Sequence, residues 1–121
     1  MEVILDTNFI ISCVLKRIDF IEQLENLGFK VLVPREVMKE MKDLKNNESV
    51  SHEERNAIDV AFEMIEHRKV KKVRVGERNT DAGLIKKGRA GAYIATLDRG
   101  IKREIPNKIV IFDSKNRVGV E

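Results

Sequence analysis

The chain has 121 residues, of which 42% are hydrophobic and 36% charged, so we expect one soluble globular domain and exclude a disordered chain. No apolar run approaches the ~20 residues of a membrane helix, and the acidic, strand-like N-terminus lacks the basic region of a signal peptide, which predicts a cytoplasmic domain over residues 1–121. The net charge of +3 favours a polyanionic partner.

The chain begins with a predicted strand and two predicted helices. The apolar run Val3-Ile4-Leu5 indicates a buried strand. Asn8 is expected to cap the helix that follows. The only cysteine, Cys13, lies in the apolar part of that helix, which predicts a buried thiol without a catalytic role. Asp19 caps a second predicted helix, which ends at Gly28.

Strands and helices alternate through the middle of the chain. Val31-Leu32-Val33 is the second predicted strand. Pro34 suits the first turn of a helix that runs to about Leu44. Ser51 and Glu54 have the spacing of a capping box, which predicts the start of a longer helix.

The last part of the chain continues this alternation. The remaining predicted elements are strands over residues 69–75, 92–96 and 109–112, a helix from Thr80 as its cap to about Gly88, and a short helix over 98–104. The segment after the last strand is expected to form a small hairpin. Alternation of strands and helices predicts an α/β fold, with a mainly parallel central sheet and helices on both of its faces.

Two acidic residues are predicted to lie at the carboxyl ends of parallel strands. Asp6 directly follows the first strand, and Asp98 comes two residues after the strand that ends at Thr96. In open α/β sheets, ligands bind in the crevice outside these strand ends. The two carboxylates are therefore expected to border a ligand site.

Helical periodicity adds two further acids. Glu40 is three residues after Val37 and four before Leu44, so it is expected on their core-facing side, whereas Glu36 falls elsewhere. Asp81 lies on the side of the apolar residues 84 and 85, near the start of its helix, where the helix dipole favours an anion. The pattern predicts that both carboxylates point inward.

Four neighbouring carboxylates need a cation. One pair at ~4 Å repels by about 4 kcal/mol at an effective dielectric near 20. Mg²⁺ and Mn²⁺ prefer oxygen ligands, and two such ions activate a water and stabilise the leaving oxygen in phosphodiester cleavage. Taken one at a time, the acids leave a structural alternative open, in which Asp6, Asp81 and Asp98 cap helices and Glu40 joins an ion pair.

At these residues the chain resembles the PIN-domain family of nucleases. The matching stretches, in family order, are Leu5-Asp6-Thr7-Asn8, Val33-Pro34-Arg35-Glu36-Val37 leading to Glu40, Thr80-Asp81 with Leu84-Ile85, and Ile94-Ala95-Thr96-Leu97-Asp98-Arg99 with Ile101-Lys102. The resemblance implies a three-layer α/β/α sandwich and Mg²⁺- or Mn²⁺-dependent cleavage of single-stranded RNA. It is greatest for the ribosome-biogenesis branch, and other members are toxins of toxin–antitoxin pairs.

The resemblance also implies roles for particular residues. Asp6, Glu40, Asp81 and Asp98 would be the catalytic ligands of one or two ions, with Asn8 and Thr96 as supporting polar groups. Basic residues near the last two acids are candidates for holding an RNA backbone: Lys86, Lys87, Arg89, Arg99, Lys102 and Arg103. A homodimer, an antitoxin and a ribosome-assembly partner all fit this family.

Two positions depart from the family pattern, and two other functions share part of it. Gly100 stands where many members carry an acid, and Leu97 replaces a polar residue, so we expect slow turnover. Haloacid-dehalogenase phosphatases share the Asp6-Thr7 outline, but their chemistry needs an acid where Asn8 stands. A catalytically weak RNA-binding or ribosome-assembly factor that keeps the nuclease fold is the remaining alternative.

Overall fold

The computed structural model describes residues 1–121, which form six strands and six α-helices. The elements in chain order are β1 (Glu2–Leu5), α1 (Thr7–Leu15), α2 (Phe20–Asn26), β2 (Lys30–Pro34), α3 (Arg35–Lys45), α4 (His52–His67), β3 (Lys71–Val73), α5 (Thr80–Arg89), β4 (Tyr93–Ala95), α6 (Arg99–Lys102), β5 (Lys108–Phe112) and β6 (Arg117–Val120). A short 3₁₀ turn at Asp113–Lys115 joins the last two strands into a hairpin, so the segment after β5 supplies one strand and pairs with β5 rather than forming a hairpin of its own.

The sheet has the strand order β3-β2-β1-β4-β5-β6. Strands β1 to β5 are parallel, and only β6 runs antiparallel, beside β5. The chain moves outward from β1 to β2 and β3 and then returns to place β4 on the other side of β1. Such a reversal of strand order opens a crevice at the carboxyl ends of the two strands that flank it. The topology therefore predicts a ligand cleft between the ends of β1 and β4.

Alternating side chains of the strands fill two separate cores. Val3 and Leu5 of β1 pack in the larger core, to which α1, α2, α3 and α4 contribute, whereas Ile4 between them packs in the smaller core beneath α5 and α6. In β2, Val31 and Leu32 are divided between the same two cores. The chain is a three-layer α/β/α sandwich with a mainly parallel sheet, as predicted.

The first helix begins earlier than predicted. Its N-cap is Asp6, whose carboxylate oxygen Oδ1 accepts a hydrogen bond from the Thr7 amide at 2.9 Å. Asn8, the predicted cap, lies inside the helix. Asp and Asn are about equally good caps, so the pattern alone does not choose between two such residues that are two positions apart. The helix thus starts directly at the end of β1.

The segment between α4 and α5 also differs from the prediction. The strand expected over residues 69–75 is reduced to Lys71–Val73, since Lys69 has a left-handed backbone with φ of 53° that ends α4. The cap of α5 is Asn79, whose Oδ1 accepts from the Ala82 amide at 2.8 Å, and Thr80 is the first helical residue. Short strands and neighbouring cap residues are the features that periodicity resolves least.

Two further sequence predictions concern the cysteine and membrane-spanning helices. Cys13 is fully buried in α1, and burial raises the pKa of its thiol to about 12, as expected for a structural cysteine. The longest helix has 16 residues, and no helix combines the length and apolar character that a bilayer crossing requires.

Gly83→Ala is expected to destabilise the fold. A Cβ at this position of α5 would lie 2.9 Å from the carbonyl oxygens of both Val75 and Gly76. Because these are backbone atoms, the overlap outweighs the better helix propensity of alanine, and we expect a loss of about 1–3 kcal/mol in the free energy of unfolding. Urea denaturation measures this loss, with Lys87→Ala on the exposed side of the same helix as the control. Equal midpoints for the two variants would contradict the close packing.

Candidate metal and nucleic-acid site

The carboxyl ends of β1 and β4 border a cleft of about 490 Å³. All four acids that the sequence singled out line it: Asp6 after β1, Glu40 on α3, Asp81 in the first turn of α5, and Asp98 after β4. Helices on both faces of the sheet therefore contribute carboxylates to the same cleft. The cleft lies at the switch in strand order, where the topology predicts a ligand.

Asp6 forms the base of the cleft. Its side chain is 7% exposed. Oδ1 accepts from the Thr7 amide at 2.9 Å, and Oδ2 accepts from the Thr96 hydroxyl at 2.7 Å. The Asp6 amide donates to the carbonyl of Ala95 at 2.9 Å, which ties the end of β1 to β4. Both oxygens are thus held in a defined orientation.

The surroundings of Asp6 raise the pKa of its carboxyl above the ordinary value of 3.8. Burial is the largest cause, and the negative charges of Glu40 and Asp81 act in the same direction. The hydrogen bonds from Thr96 and Thr7 oppose them without cancelling them. A buried carboxylate that lies near two further carboxylates provides an environment that favours a bound cation.

This shift predicts how the metal-free protein responds to pH. A folded-state pKa above the unfolded value of 3.8 means that the folded state binds the proton more tightly. The contribution of Asp6 to the free energy of unfolding is therefore largest below that value and falls as the pH rises through the folded pKa. Asp6→Asn removes the titration, so its stability relative to the wild type should increase from acid to neutral pH. Urea denaturation in EDTA across this range measures it, and a constant difference would contradict the raised pKa.

Thr96 connects Asp6 to Asp98. Thr96 is fully buried; its hydroxyl donates to Asp6 and accepts from the Asp98 amide at 3.1 Å. Asp98 in turn caps α6, with Oδ1 accepting from the amides of Gly100 at 2.7 Å and Ile101 at 3.2 Å. Oδ1 of Asp98 therefore caps the helix, whereas Oδ2 makes no hydrogen bond to it.

Asn8 holds the loop after β4 from the other side. Its Oδ1 accepts a hydrogen bond from the Leu97 amide at 3.2 Å. Because Asn8 belongs to α1 and Leu97 precedes Asp98, this bond links the first helix to the segment that carries the fourth acid. Asn8 and Thr96 thus both orient the backbone around the cleft.

Glu40 and Asp81 differ from the two held acids. Both are exposed, so the expectation that the two carboxylates point inward is wrong. Val37 and Met41 fill the core-facing side of α3, and Glu40 lies beside them at the open cleft, which Asp81 borders from α5. Neither acid takes part in an ion pair. No three acidic, histidine or cysteine side chains approach closely enough to share one ion. The acids line one cleft but do not converge on a point.

Sequence reasoning missed Glu54, which lines the same cleft from the first turn of α4. Its amide donates to the Ser51 hydroxyl at 3.1 Å, as the capping-box spacing predicted, and the residue also lines the cleft. A signal was present, since Glu54 is three and four residues before the buried Ala57 and Ile58. Asp81 has the same relation to the apolar residues of its own helix.

The donors of the cleft fit a hard divalent cation. They are carboxylate oxygens without nearby sulfur or imidazole, which suits Mg²⁺ or Mn²⁺. Thr7 also lines the cleft, and its Oγ1 is the one buried side-chain oxygen or nitrogen without a hydrogen-bond partner. A buried polar atom normally has a partner, so this orphaned oxygen is consistent with a ligand shell that includes water.

Half of the predicted RNA-binding residues are engaged in ion pairs. These are Lys86 with Glu77 at 2.8 Å, Arg89 with Glu104 at 2.6 Å, and Lys102 with Glu121 at 3.7 Å. The other three, Lys87, Arg99 and Arg103, are exposed and have no ion-pair partner. Arg99 directly follows Asp98, which makes it the unpaired cation next in sequence to the cleft.

Comparison with known proteins identifies the family. The family model described as "PIN like domain" matches residues 3–113, nearly the whole chain. The chain belongs to the PIN-like domain family. The resemblance seen in the sequence is therefore confirmed, and the cleft of this PIN-like domain holds the acids that the family pattern singled out.

Solved structures support the same fold. The structure of the PIN domain endonuclease Utp24 is similar with a TM-score of 0.75 and 20% identity, over 99% of this chain and 90% of that one. VapBC2 from Rickettsia felis bound to a DNA fragment from their promoter is similar with a TM-score of 0.55 and 12% identity, over 91% and 98%. A search of curated proteins finds no significant match. The PIN-like domain thus has the fold of PIN nucleases.

Proposed function

We propose that this PIN-like domain is a ribonuclease that cleaves single-stranded RNA by metal-dependent phosphodiester hydrolysis. The observation that carries the proposal is the cleft at the switch in strand order, lined by Asp6, Glu40, Asp81 and Asp98. Family membership and the similarity to a PIN domain endonuclease support it. Processing of ribosomal RNA with an assembly partner, or action as a toxin with an antitoxin, are the two settings that fit.

The four acids would hold one or two Mg²⁺ or Mn²⁺ ions. When bound, such ions lower the pKa of the attacking water and offset the charge that develops on the leaving oxygen. The chain supplies the orientation of the ligands. Thr96 and the Thr7 amide hold Asp6, α6 holds Asp98, and the exposed Glu40 and Asp81 are free to turn toward a cation.

Substrate binding falls to the neighbouring bases. Arg99 is exposed, unpaired and adjacent in sequence to Asp98, so its guanidinium is available to a phosphate of the strand that enters the cleft. In-line attack by water is expected to leave 5′-phosphate and 3′-hydroxyl ends. The cleft is open to solvent, which suits an extended single strand.

The test is a cleavage assay on labelled single-stranded RNA with the purified protein. Cleavage is expected with Mg²⁺ or Mn²⁺, none in EDTA, and Asp98→Asn is expected to be inactive. Analysis of the product ends checks the direction of attack. Equal cleavage by the wild type and Asp98→Asn would show that the activity belongs to a contaminant and would overturn the proposal.

Arg99→Ala is expected to weaken RNA binding more than Lys102→Ala. Arg99 has no ion-pair partner, whereas Lys102 lies 3.7 Å from Glu121, so its charge is already partly offset. Loss of one phosphate contact should reduce the dependence of the logarithm of the binding constant on the logarithm of salt concentration by about 1. Fluorescence anisotropy of labelled RNA at several salt concentrations measures both variants. The opposite order would place the RNA path along α6 and β6.

A second candidate is an RNA-binding or ribosome-assembly factor with weak catalysis. The observation in its favour is that no three acids approach one point, together with Gly100 where many family members carry an acid. This candidate predicts RNA binding that is insensitive to EDTA. The cleavage assay separates the two candidates, because only a nuclease converts the RNA into shorter products.

A further inference from the structure

The loop between β3 and α5 is held by a carboxylate outside the cleft. Glu36, in the first turn of α3, accepts hydrogen bonds from the amide of Val75 at 3.3 Å and from the amide of Gly76 at 3.1 Å. The donors are successive backbone groups about 40 residues further along the chain. Hydrogen bonds to an ionised acceptor are stronger than those between neutral groups. One side chain thus binds two successive amides of the loop.

The anchored loop packs directly on α5. Gly83 of α5 approaches so closely that a Cβ on it would lie 2.9 Å from the carbonyl oxygens of Val75 and Gly76. Val75 is 5% exposed and shares the smaller core with Leu84. Asp81 is two residues before Gly83 on the same helix. Contacts therefore run without a gap from Glu36 through the loop to the helical turn that carries Asp81.

We propose that Glu36 is a positioning residue, which sets the location of Asp81 in the cleft by anchoring the loop on which α5 packs. The proposal rests on the proposed function, since it assigns Glu36 a part in forming the metal site. Helix α3 then has two tasks. Its first turn holds the start of α5 through Glu36, and its next turn presents Glu40 to the cleft. Helix α3 thereby contributes to the positions of both Glu40 and Asp81.

The charge of Glu36 suits this role. Burial raises the pKa of its carboxyl, but the amides of Glu36 itself, Gly76 and Val75 and the charge of Arg74 lower it more, so that the net shift is downward. The group is therefore ionised at neutral pH and acts only as an acceptor. A neutral glutamine retains one acceptor oxygen and places an NH₂ group where the second acceptor was.

Two measurements on the full chain test the proposal. Hydrogen exchange in EDTA reports the amides of Val75 and Gly76, which should exchange faster in Glu36→Ala than in the wild type. Electron paramagnetic resonance of free Mn²⁺ reports metal affinity, which should fall about tenfold or more in Glu36→Ala, the size of effect that groups supporting metal ligands usually have. Glu36→Gln should lie between the two. Asp43→Ala, which removes an exposed acid of the same helix, should match the wild type.

The outcomes separate this inference from the proposed function. If the wild type takes up no Mn²⁺, the proposed function fails, and the positioning role fails with it. If Glu40→Gln loses Mn²⁺ affinity while Glu36→Ala keeps that of the wild type, the proposed function stands and the positioning role is overturned. Unchanged exchange at Val75 and Gly76 in a folded Glu36→Ala would overturn the anchoring itself. Graded losses in both measurements, with Asp43→Ala unaffected, support the proposal.

Discussion

Glu40→Gln is expected to reduce the rate of Mn²⁺-dependent RNA cleavage by about 100-fold or more, while the free energy of unfolding changes by less than about 0.5 kcal/mol. The two expectations have one cause. Glu40 is exposed at the cleft and takes part in no ion pair, so its charge has no structural partner to lose. Apart from easing the repulsion that Asp6 experiences, removing the charge affects only a cation or a substrate. Single-turnover cleavage and urea denaturation of the same preparation measure both quantities.

Matched variants make this result specific. Asp43→Asn removes one negative charge from an exposed site on the same helix and should cleave like the wild type. Asp98→Asn should lose cleavage but keep RNA binding and stability, because asparagine caps a helix about as well as aspartate. Asp98→Ala should in addition lose about 1 kcal/mol of stability, since it removes the cap of α6. Wild-type rates in both Glu40→Gln and Asp98→Asn would show that the cleavage does not arise in this cleft, as expected of a contaminating nuclease.

The sequence predicted most of the fold because its strands are plainly apolar. Val3-Ile4-Leu5 and Val31-Leu32-Val33 are buried on both faces of the sheet, and such strands appear as unbroken apolar runs. The third strand was overextended, because Lys69 adopts a left-handed backbone that composition does not reveal. Helix caps were displaced where two good capping residues stand close together, as with Asp6 and Asn8.

The cleft was predicted less completely than the fold. Asp6 and Asp98 follow strands, so the rule for parallel sheets locates them without knowledge of any contact. Periodicity brought Glu40 to the right helix face but not to its exposed position, because a helical wheel does not show where the core stops and the cleft begins. Glu54 and Glu36 depend on contacts between elements distant in the chain. The spacing of Glu54 had a sufficient local explanation as a cap, and the helical wheel said of Glu36 only that it lies off the core-facing side.

Mn²⁺ at about one hundred times its dissociation constant is expected to add ~2.7 kcal/mol to the free energy of unfolding of the wild type. For a domain of 121 residues this corresponds to a rise of about 10 °C in the melting temperature. The gain has a definite source. In the metal-free protein, burial and the charges of Glu40 and Asp81 disfavour ionised Asp6. A bound cation offsets the negative charge of all three carboxylates and so makes the ionised form favourable.

Asp6→Asn should therefore lose most of the Mn²⁺-dependent rise, and at neutral pH its metal-free form should melt no lower than that of the wild type. The asparagine oxygen still accepts from the Thr7 amide, whereas its NH₂ group donates to the Thr96 hydroxyl instead of accepting from it, so the variant removes the charge and reverses one local hydrogen bond. Asp43→Asn should keep the full rise, since Asp43 pairs with Lys39 outside the cleft. Thermal melts with Mn²⁺ and with EDTA measure all three proteins. A wild-type melting temperature that Mn²⁺ leaves unchanged would mean that the repulsion at Asp6 is relieved by protonation alone, and the carboxylates would then have no role as metal ligands.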